Sequence, residues 1–403
     1  MVSHTSSSPR WGLSLLALAL AGCGVAPSPL ANGQTSQAFE ASARAPRHLL
    51  VKFRDAAGRQ SVTQRHKLNV VGRIARLETL VVRTSDANAL GKALRAEPSV
   101  ARIEPDHPAK AFTTPEVPGI GFASSKDDLL PKLWGMAKIE APRAWGITTG
   151  ARDLKVAIVD TGVDYNHPDL KGRTLKGYDF INNDADAMDD NEHGTHCAGS
   201  AAGGINDGGV VGVAPNVTVL GVKVLDGDGS GSYSTVANGI IYAADQGAKV
   251  ISLSLGGPST SSTLVDAVRY AQDKGCLVVA AMGNEGNEDP QYPAAIAGVM
   301  AVGATNSKDA IAYFSSRGNH ISVSAPGDLI LSSIPGGKYE RFSGTSMACP
   351  HVAGLAALVK TKYPNLDAKT IRERIERGSQ DLGAKGFDST FGHGRINALR
   401  AVQ

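Results

Sequence analysis

Aromatic residues are scarce in this chain, 3 Trp, 9 Tyr and 9 Phe among 403 residues, and cysteine is scarcer still at 4. Cys23 belongs to the N-terminal leader. That leaves Cys197, Cys276 and Cys349, an odd number, so complete disulfide pairing is excluded and at least one thiol stays free. All three sit among apolar or small residues, which fits buried thiols; a Cys197–Cys349 bridge is the alternative. Beyond the leader, no run reaches the ~18 apolar residues that a membrane span needs. No excess of one charge exists either, with a net charge of +3. The basic residues are scattered and no reading motif accompanies them, so nucleic acid is not an expected partner. Nothing suggests an oligomer interface, and a monomer is expected.

What is present is a glycine-rich globular composition, long enough for one large domain and one small one. The modest net charge hides an asymmetry: residues 1–112 carry +8 and residues 113–403 carry −5. A basic front piece and an acidic body can attract each other; unrelated surface charges are the bland alternative.

Residues 1–23 read as an export signal, with Arg10 ahead of an apolar core from Leu13 to Leu20. Leu20-Ala21-Gly22-Cys23 is similar to a bacterial lipobox, whose cysteine is lipidated after cleavage; plain cleavage without lipid is the other reading. Residues 24–46, rich in Ala, Ser, Pro and Gly, form a linker. From His48 the pattern becomes structural: a strand at His48–Phe53, a helix at Ser61–Lys67, a strand pair around Ile74 to Val82, a helix at Ala87–Glu97 and a strand at Val100–Glu104. This β-α-β-β-α-β order predicts a small ferredoxin-like α+β module. Pro105 to Pro115 is polar and proline-rich, a boundary.

Beyond Trp145, apolar runs at Lys155–Val159, Val217–Val224, Val250–Leu255, Leu277–Ala281 and Val299–Val302 alternate with helical stretches near 193–203, 233–246 and 261–274. Alternation of this kind predicts an α/β fold with a mostly parallel sheet covered on both faces. Functional groups in such folds gather beyond the carboxyl ends of the strands.

Three stretches carry chemistry. Val156-Ala-Ile-Val-Asp160-Thr-Gly ends an apolar strand on a carboxylate, which taken alone is most often a turn cap. Asp190-Asn-Glu-His193-Gly-Thr-His196 opens a helix with a histidine. The two histidines lack a third ligand at a recognised spacing, so a metal is not expected there. Phe342-Ser-Gly344-Thr-Ser346-Met-Ala-Cys349-Pro-His351 runs from a small-residue turn into an apolar helix with a serine at the junction; a serine there is usually an N-cap. Together they supply nucleophile (Ser346), general base (His193) and orienting carboxylate (Asp160). The order Asp, His, Ser differs from that of an α/β-hydrolase, and the second glycine of a G-x-S-x-G elbow is missing.

These three stretches, in this order, resemble those of the subtilisin-family serine proteases (subtilases), made as precursors. The resemblance extends from about His48 to the C-terminus, where Phe391-Gly-His-Gly-Arg-Ile-Asn-Ala398 is similar to the family's terminal segment. It implies a subtilisin-like three-layer fold at 113–403, preceded by an inhibitory and chaperoning prodomain at 47–112. Asn284, in Gly283-Asn284-Glu-Gly286, is implied as oxyanion donor beside the Ser346 N–H, and His196 as structural. Ser254-Leu255-Gly256 is implied as the strand that pairs with an extended substrate. Leu255 and Tyr233 line the pocket for the fourth residue before the cut. Ala281 to Gly283 line the pocket for the residue before the cut, with Met282 larger than the pattern and a floor from Asp289–Pro293. A structural calcium is implied at Asp169, Asn206 and the carbonyls of Gly204, Gly208 and Val210. Asp184, Asp186, Asp189 and Asp190 either hold a second ion or form a solvated acidic loop.

The resemblance further implies polypeptide substrates, a secreted enzyme, and self-cleavage after Phe112, with Ala109-Lys-Ala-Phe112 in the cleft and an unusually long lead-in at Thr113–Leu130. That cut would also free the catalytic domain from any lipid on Cys23. The alternatives are a catalytically silent relative that binds without cutting, and an esterase. Asp160, His193, Asn284 and Ser346 are all present, which argues against the first. A small ester needs neither a prodomain nor a pairing strand, which argues against the second.

Overall fold

A computed structural model of the chain describes residues 47–112, 129–205 and 208–403, together with Met1. The expected leader and linker, the lead-in at 113–128 and Asn206 lie outside the described residues.

The front module comprises β1 (His48–Phe53), α1 (Ala56–Arg65), β2 (Asn69–Ile74), β3 (Thr79–Arg83), α2 (Ala87–Arg95) and β4 (Val100–Pro105), and the four strands form an antiparallel sheet in the order β2-β3-β1-β4. α1 begins five residues before the expected Ser61 because the Asp55 carboxylate accepts the Gly58 N–H at 2.7 Å and caps it. Alternate residues of β1 (Leu49, Val51 and Phe53) meet Val62 and Leu94 of the two helices in a small core. A short strand, β5 (Pro108–Ala111), follows the module.

The second part contains α3 (Trp134–Lys138), α4 (Ala141–Trp145), β6 (Lys155–Asp160), β7 (Thr174–Asp179), α5 (His193–Ala202), β8 (Thr218–Lys223), β9 (Ser230–Ser232) and α6 (Tyr233–Asp245). It continues through β10 (Val250–Leu253), β11 (Leu255–Gly256), α7 (Ser262–Asp273), β12 (Leu277–Ala281), β13 (Met300–Thr305), β14 (Ile321–Pro326), β15 (Ile330–Ile334), β16 (Lys338–Phe342), α8 (Thr345–Lys362), α9 (Ala368–Gly378) and α10 (Ala398–Val402). Seven strands form a parallel sheet in the order β14-β13-β12-β10-β6-β8-β7. Both faces are buried, as β6 shows. Val156 and Ile158 join the core beneath α5 and α8, while Ala157 and Val159 join the core beneath α6 and α7. Such strands read as unbroken apolar runs. The two outermost strands, β7 and β14, escaped the sequence pattern. β7 is an exposed edge, and β14 carries Ser322 and Ser324, buried but hydrogen-bonded to Ala301 N–H and Phe391 C=O.

The module lies on α6 and α7. Ile74 and Leu77 enter the apolar cluster of those helices. Lys52 and Arg102 reach Asp266 at 2.7 and 2.8 Å, and Arg76 reaches Asp245 at 3.0 Å. The charge asymmetry of the sequence is thus used at this contact. Two carboxylates on β4 and just after it run the other way. Glu104 accepts the Ser262 and Thr263 N–H groups at the start of α7, and Asp106 accepts the Ser234 N–H and hydroxyl at the start of α6. Each anion sits where a helix presents unpaired donors and the positive end of its dipole.

Candidate active site

The carboxyl edge of the parallel sheet collects the expected groups. Asp160 ends β6, and α5 begins with His193. The His193 Nδ1 lies 2.6 Å from Asp160 Oδ1, which also accepts the Thr161 N–H at 2.8 Å; both side chains are buried. Burial pushes the His193 pKa down, but the Asp160 charge and hydrogen bond, with a contribution from Asp189, outweigh it and leave the pKa raised. Among the described residues the His193 Nε2 has no partner.

Ser346, in the first turn of α8, completes the grouping, but its hydroxyl donates to the Ser254 carbonyl at 2.8 Å rather than to His193. The Ser254 hydroxyl in turn donates to the Ser346 carbonyl at 2.8 Å. Cys197, one turn beyond His193, keeps a buried thiol within 4.8 Å of Asp160 and His193. All three described cysteines are free, so the alternative of a Cys197–Cys349 bridge is not realised. Burial pushes the Cys349 thiol up to about 11 and the Cys197 thiol up as well. His196 stacks on Phe342 and bonds the Ile330 carbonyl at 2.9 Å; burial pushes it down to about 3, so it stays neutral.

The tail of the front module fills the cleft. β5 lies between β9 and β11, antiparallel to both, with Ala109 opposite Gly231 and Ala111 opposite Leu255. Ala109 is buried in the cluster that holds Tyr233 and Leu255. The Phe112 N–H donates to the Ser254 carbonyl at 3.3 Å, and its carbonyl accepts from Asn284 Nδ2 at 2.9 Å. The Asn284 Oδ1 is pinned by the Thr345 N–H and hydroxyl, both at 2.9 Å. The Ser346 N–H, expected as second donor, forms no bond to that oxygen among the described residues. Two glycines make this approach possible: a Cβ on Gly344 would stand 2.6 Å from the Phe112 oxygen, and one on Gly256 2.8 Å from the tip of its ring.

Phe112 packs against the core cluster that contains Ala281. Met282 turns into the opposite cluster with Leu255, which explains how a large residue fits there. The Gly283 N–H is held by the Thr345 hydroxyl at 3.1 Å, and Tyr292 pairs with Gly257, next to the Gly256 that the Phe112 ring approaches.

At the expected calcium loop, the buried Asp169 carboxylate accepts the Val210 N–H at 2.9 Å and the Tyr339 hydroxyl at 3.2 Å. The loop wraps it closely; a Cβ on Gly209 would lie 2.4 Å from Asp169 Oδ1. Both Asp169 oxygens thus accept protein donors, and a hard cation here would need oxygen ligands from the loop in addition. The acidic loop divides: Asp190 pairs with Lys223, and Asp189 is buried and spent on protein donors rather than open to an ion. Sequence reading missed Glu104, Asp106 and Thr345. Two carboxylates two residues apart, at the end of β4 and just past it, were the available signal for the first two.

Comparisons with known proteins agree with this arrangement. Residues 151–394 match the subtilase family, and residues 34–106 match the fervidolysin N-terminal prodomain. Thermitase of Thermoactinomyces vulgaris is 49% identical over 273 residues, 68% of this chain and 96% of that protein. A thermophilic serine proteinase from a Bacillus species is 41% identical across 80% of this chain and 77% of its own length. The crystal structure of fervidolysin from Fervidobacterium pennivorans, described as a keratinolytic enzyme related to subtilisin, has a TM-score of 0.78 at 30% identity over 89% of this chain. The chain spans 61% of that structure.

Proposed function

The chain belongs to the subtilase family of serine proteases, and on that premise we propose that it is an exported endopeptidase that matures by cutting its own chain after Phe112. The observation that supports this reading is the Phe112 carbonyl on Asn284 with the Phe112 N–H on the Ser254 carbonyl, the same carbonyl that takes the Ser346 hydroxyl.

Ser346 Oγ turns from the Ser254 carbonyl to His193 Nε2, gives up its proton and attacks the carbonyl carbon. Asp160 holds the imidazole tautomer and stabilises the imidazolium. Asn284 donates to the oxyanion from a position fixed by Thr345; one such donor typically contributes ~10²–10³ in turnover. The imidazolium then protonates the leaving amine, and water repeats the sequence on the acyl-enzyme. Incoming polypeptides take the place of β5, extended between β9 and β11. Their residue before the cut meets Gly256, Ala281 and Gly283, and the fourth residue meets Tyr233 and Leu255.

Calcium bound by Asp169, Asn206 and the carbonyls of Gly204, Gly208 and Val210 would tie the loop after α5 to the body and add rigidity. Export by the leader, with or without lipid on Cys23, fits a monomeric enzyme released outside the cell once the prodomain is cut away.

Intact mass of the expressed wild type beside Ser346→Ala tests the proposal. A wild-type fragment starting near Thr113, with the variant uncut, supports it. Both chains remaining whole in calcium buffer would favour the silent binding relative, and identical cutting of both would assign maturation to another protease.

A further inference from the structure

The residue just before the catalytic histidine stands in a backbone conformation that side chains avoid. Glu192 has φ 108° and ψ −30°, in a region where L-residues are strained by roughly 1–3 kcal/mol. Glycine would adopt it without strain. Such a turn persists only where its surroundings hold it, and one buried side chain does so here. Asp189, 5% exposed, accepts the Asn191 and Glu192 N–H groups on Oδ1 at 3.0 and 3.1 Å. Its Oδ2 accepts the Thr195 N–H and hydroxyl at 2.9 and 2.6 Å, which ties the turn to the first turn of α5. The same carboxylate takes the Thr161 hydroxyl at 2.8 Å, from the residue after Asp160, and that hydroxyl accepts the Gly194 N–H at 2.9 Å. One group therefore fastens together both sides of the Asp160–His193 pair.

We propose that Asp189 is a positioning residue for the catalytic base: it clamps the strained Glu192 turn and so delivers the His193 ring to Asp160 and Ser346. The proposal rests on the reading of His193 as general base. Asp189 also adds a negative charge near the ring. The other ionisable groups near His193 are Asp160 at the end of β6, Glu192 beside His193 in the chain, and His196 and Cys197 on α5; Cys349 on α8 lies near Asp160, and the Lys223–Asp190 pair lies beyond Thr161.

The test compares full-length preparations: wild type, Asp189→Asn, Glu192→Gly and the double variant after self-cleavage, beside His193→Ala, which should stay uncut. The substrate is a peptide anilide ending Ala-Lys-Ala-Phe, the sequence of residues 109–112. Asp189→Asn should lower kcat by about tenfold to a hundredfold with KM within about threefold, since displacement of a reacting group by about an ångström has that effect. Its acid limb in kcat/KM should move to lower pH. A purely structural residue would change yield and melting temperature but leave that limb in place. Glu192→Gly alone should still mature and cut, since glycine adopts the same turn without strain. In the double variant, glycine removes the need for the clamp, so most of the lost kcat returns, while the acid limb stays low because the charge is gone. Unchanged kcat in Asp189→Asn, or a double variant no faster than Asp189→Asn, would each overturn the proposal. If Asp189→Asn does not mature, the double variant must do so; failure of both also overturns it. Retained activity in His193→Ala would instead sink the general-base reading, a separate failure.

Discussion

Removing the Glu104 charge should free the enzyme from its prodomain much sooner. Its Oε1 accepts the Thr263 N–H at 2.7 Å and the Ser261 hydroxyl at 3.1 Å; its Oε2 accepts the Ser262 N–H at 3.0 Å. In Glu104→Gln the amide oxygen can serve the first two donors, but the amide nitrogen then faces the Ser262 N–H, donor against donor. One hydrogen bond to a charged group is lost, about 1.5–3 kcal/mol, along with about 0.3–1 kcal/mol of charge–dipole attraction at the α7 terminus. Together these give about 2–4 kcal/mol, or ~30–1000-fold weaker retention of the cleaved prodomain. The assay follows one full-length preparation by gel for the cut and by a fluorogenic peptide for activity. The delay between the two reports prodomain release. Glu104→Gln should shorten that delay at least tenfold once normalised to the cut band. A delay unchanged within about threefold would show that the helix-terminus contact does not hold the prodomain.

Further outcomes follow from other contacts. The acid limb of mature kcat/KM should lie above pH 6.5, because the His193 pKa is raised and the protonated ring cannot accept the Ser346 proton. Departure of β5 admits water and relieves the burial that opposes this shift; a pH–rate profile centred below pH 6 would contradict the reasoning. Raising salt from about 0.05 to 0.5 M should also shorten the release delay, since the Lys52 and Arg102 pairs to Asp266 and the Arg76–Asp245 pair are partly exposed and screened; an unchanged or longer delay would argue against a charge-steered contact. Chelation should lower the melting temperature by several degrees if calcium is present at about a hundred times its dissociation constant, worth about 2.7 kcal/mol. Asp169→Ala should abolish that difference, and a chelator-insensitive wild type would remove calcium from the account.

Much of this was legible in the chain because the chemistry dictates residue types at strand ends. Asp160 announces itself where an apolar run stops, His193 and Ser346 where helical stretches begin, and Asn284 through the family resemblance; both buried faces of β6 are written in the Lys155–Val159 run. Other features depend on partners distant in sequence. Glu104 and Asp106 look like surface acids until α7 and α6 supply bare N–H groups more than a hundred residues later. Asp189 reads as one more member of an acidic loop because nothing local reveals that Thr161 and Thr195 close over it. β14 was hidden by Ser322 and Ser324, whose hydroxyls are satisfied only by neighbours outside the strand. The Ser346 hydroxyl orientation is likewise invisible, since it depends on a carbonyl at Ser254.

The three-stranded arrangement β11-β5-β9 carries a consequence for what can be digested. A chain must offer both of its backbone edges at once, over at least four residues, to occupy the place of β5. No segment already paired inside a sheet or coiled in a helix can do so. The target must first come loose from its own fold, so cleavage tracks how often a segment opens, the free energy of local unfolding in the target, where opening is fast relative to the cut. Well-packed neighbours would be spared whatever their side chains, and worn or half-unfolded ones consumed, which makes such an enzyme a sensor of other proteins' stability.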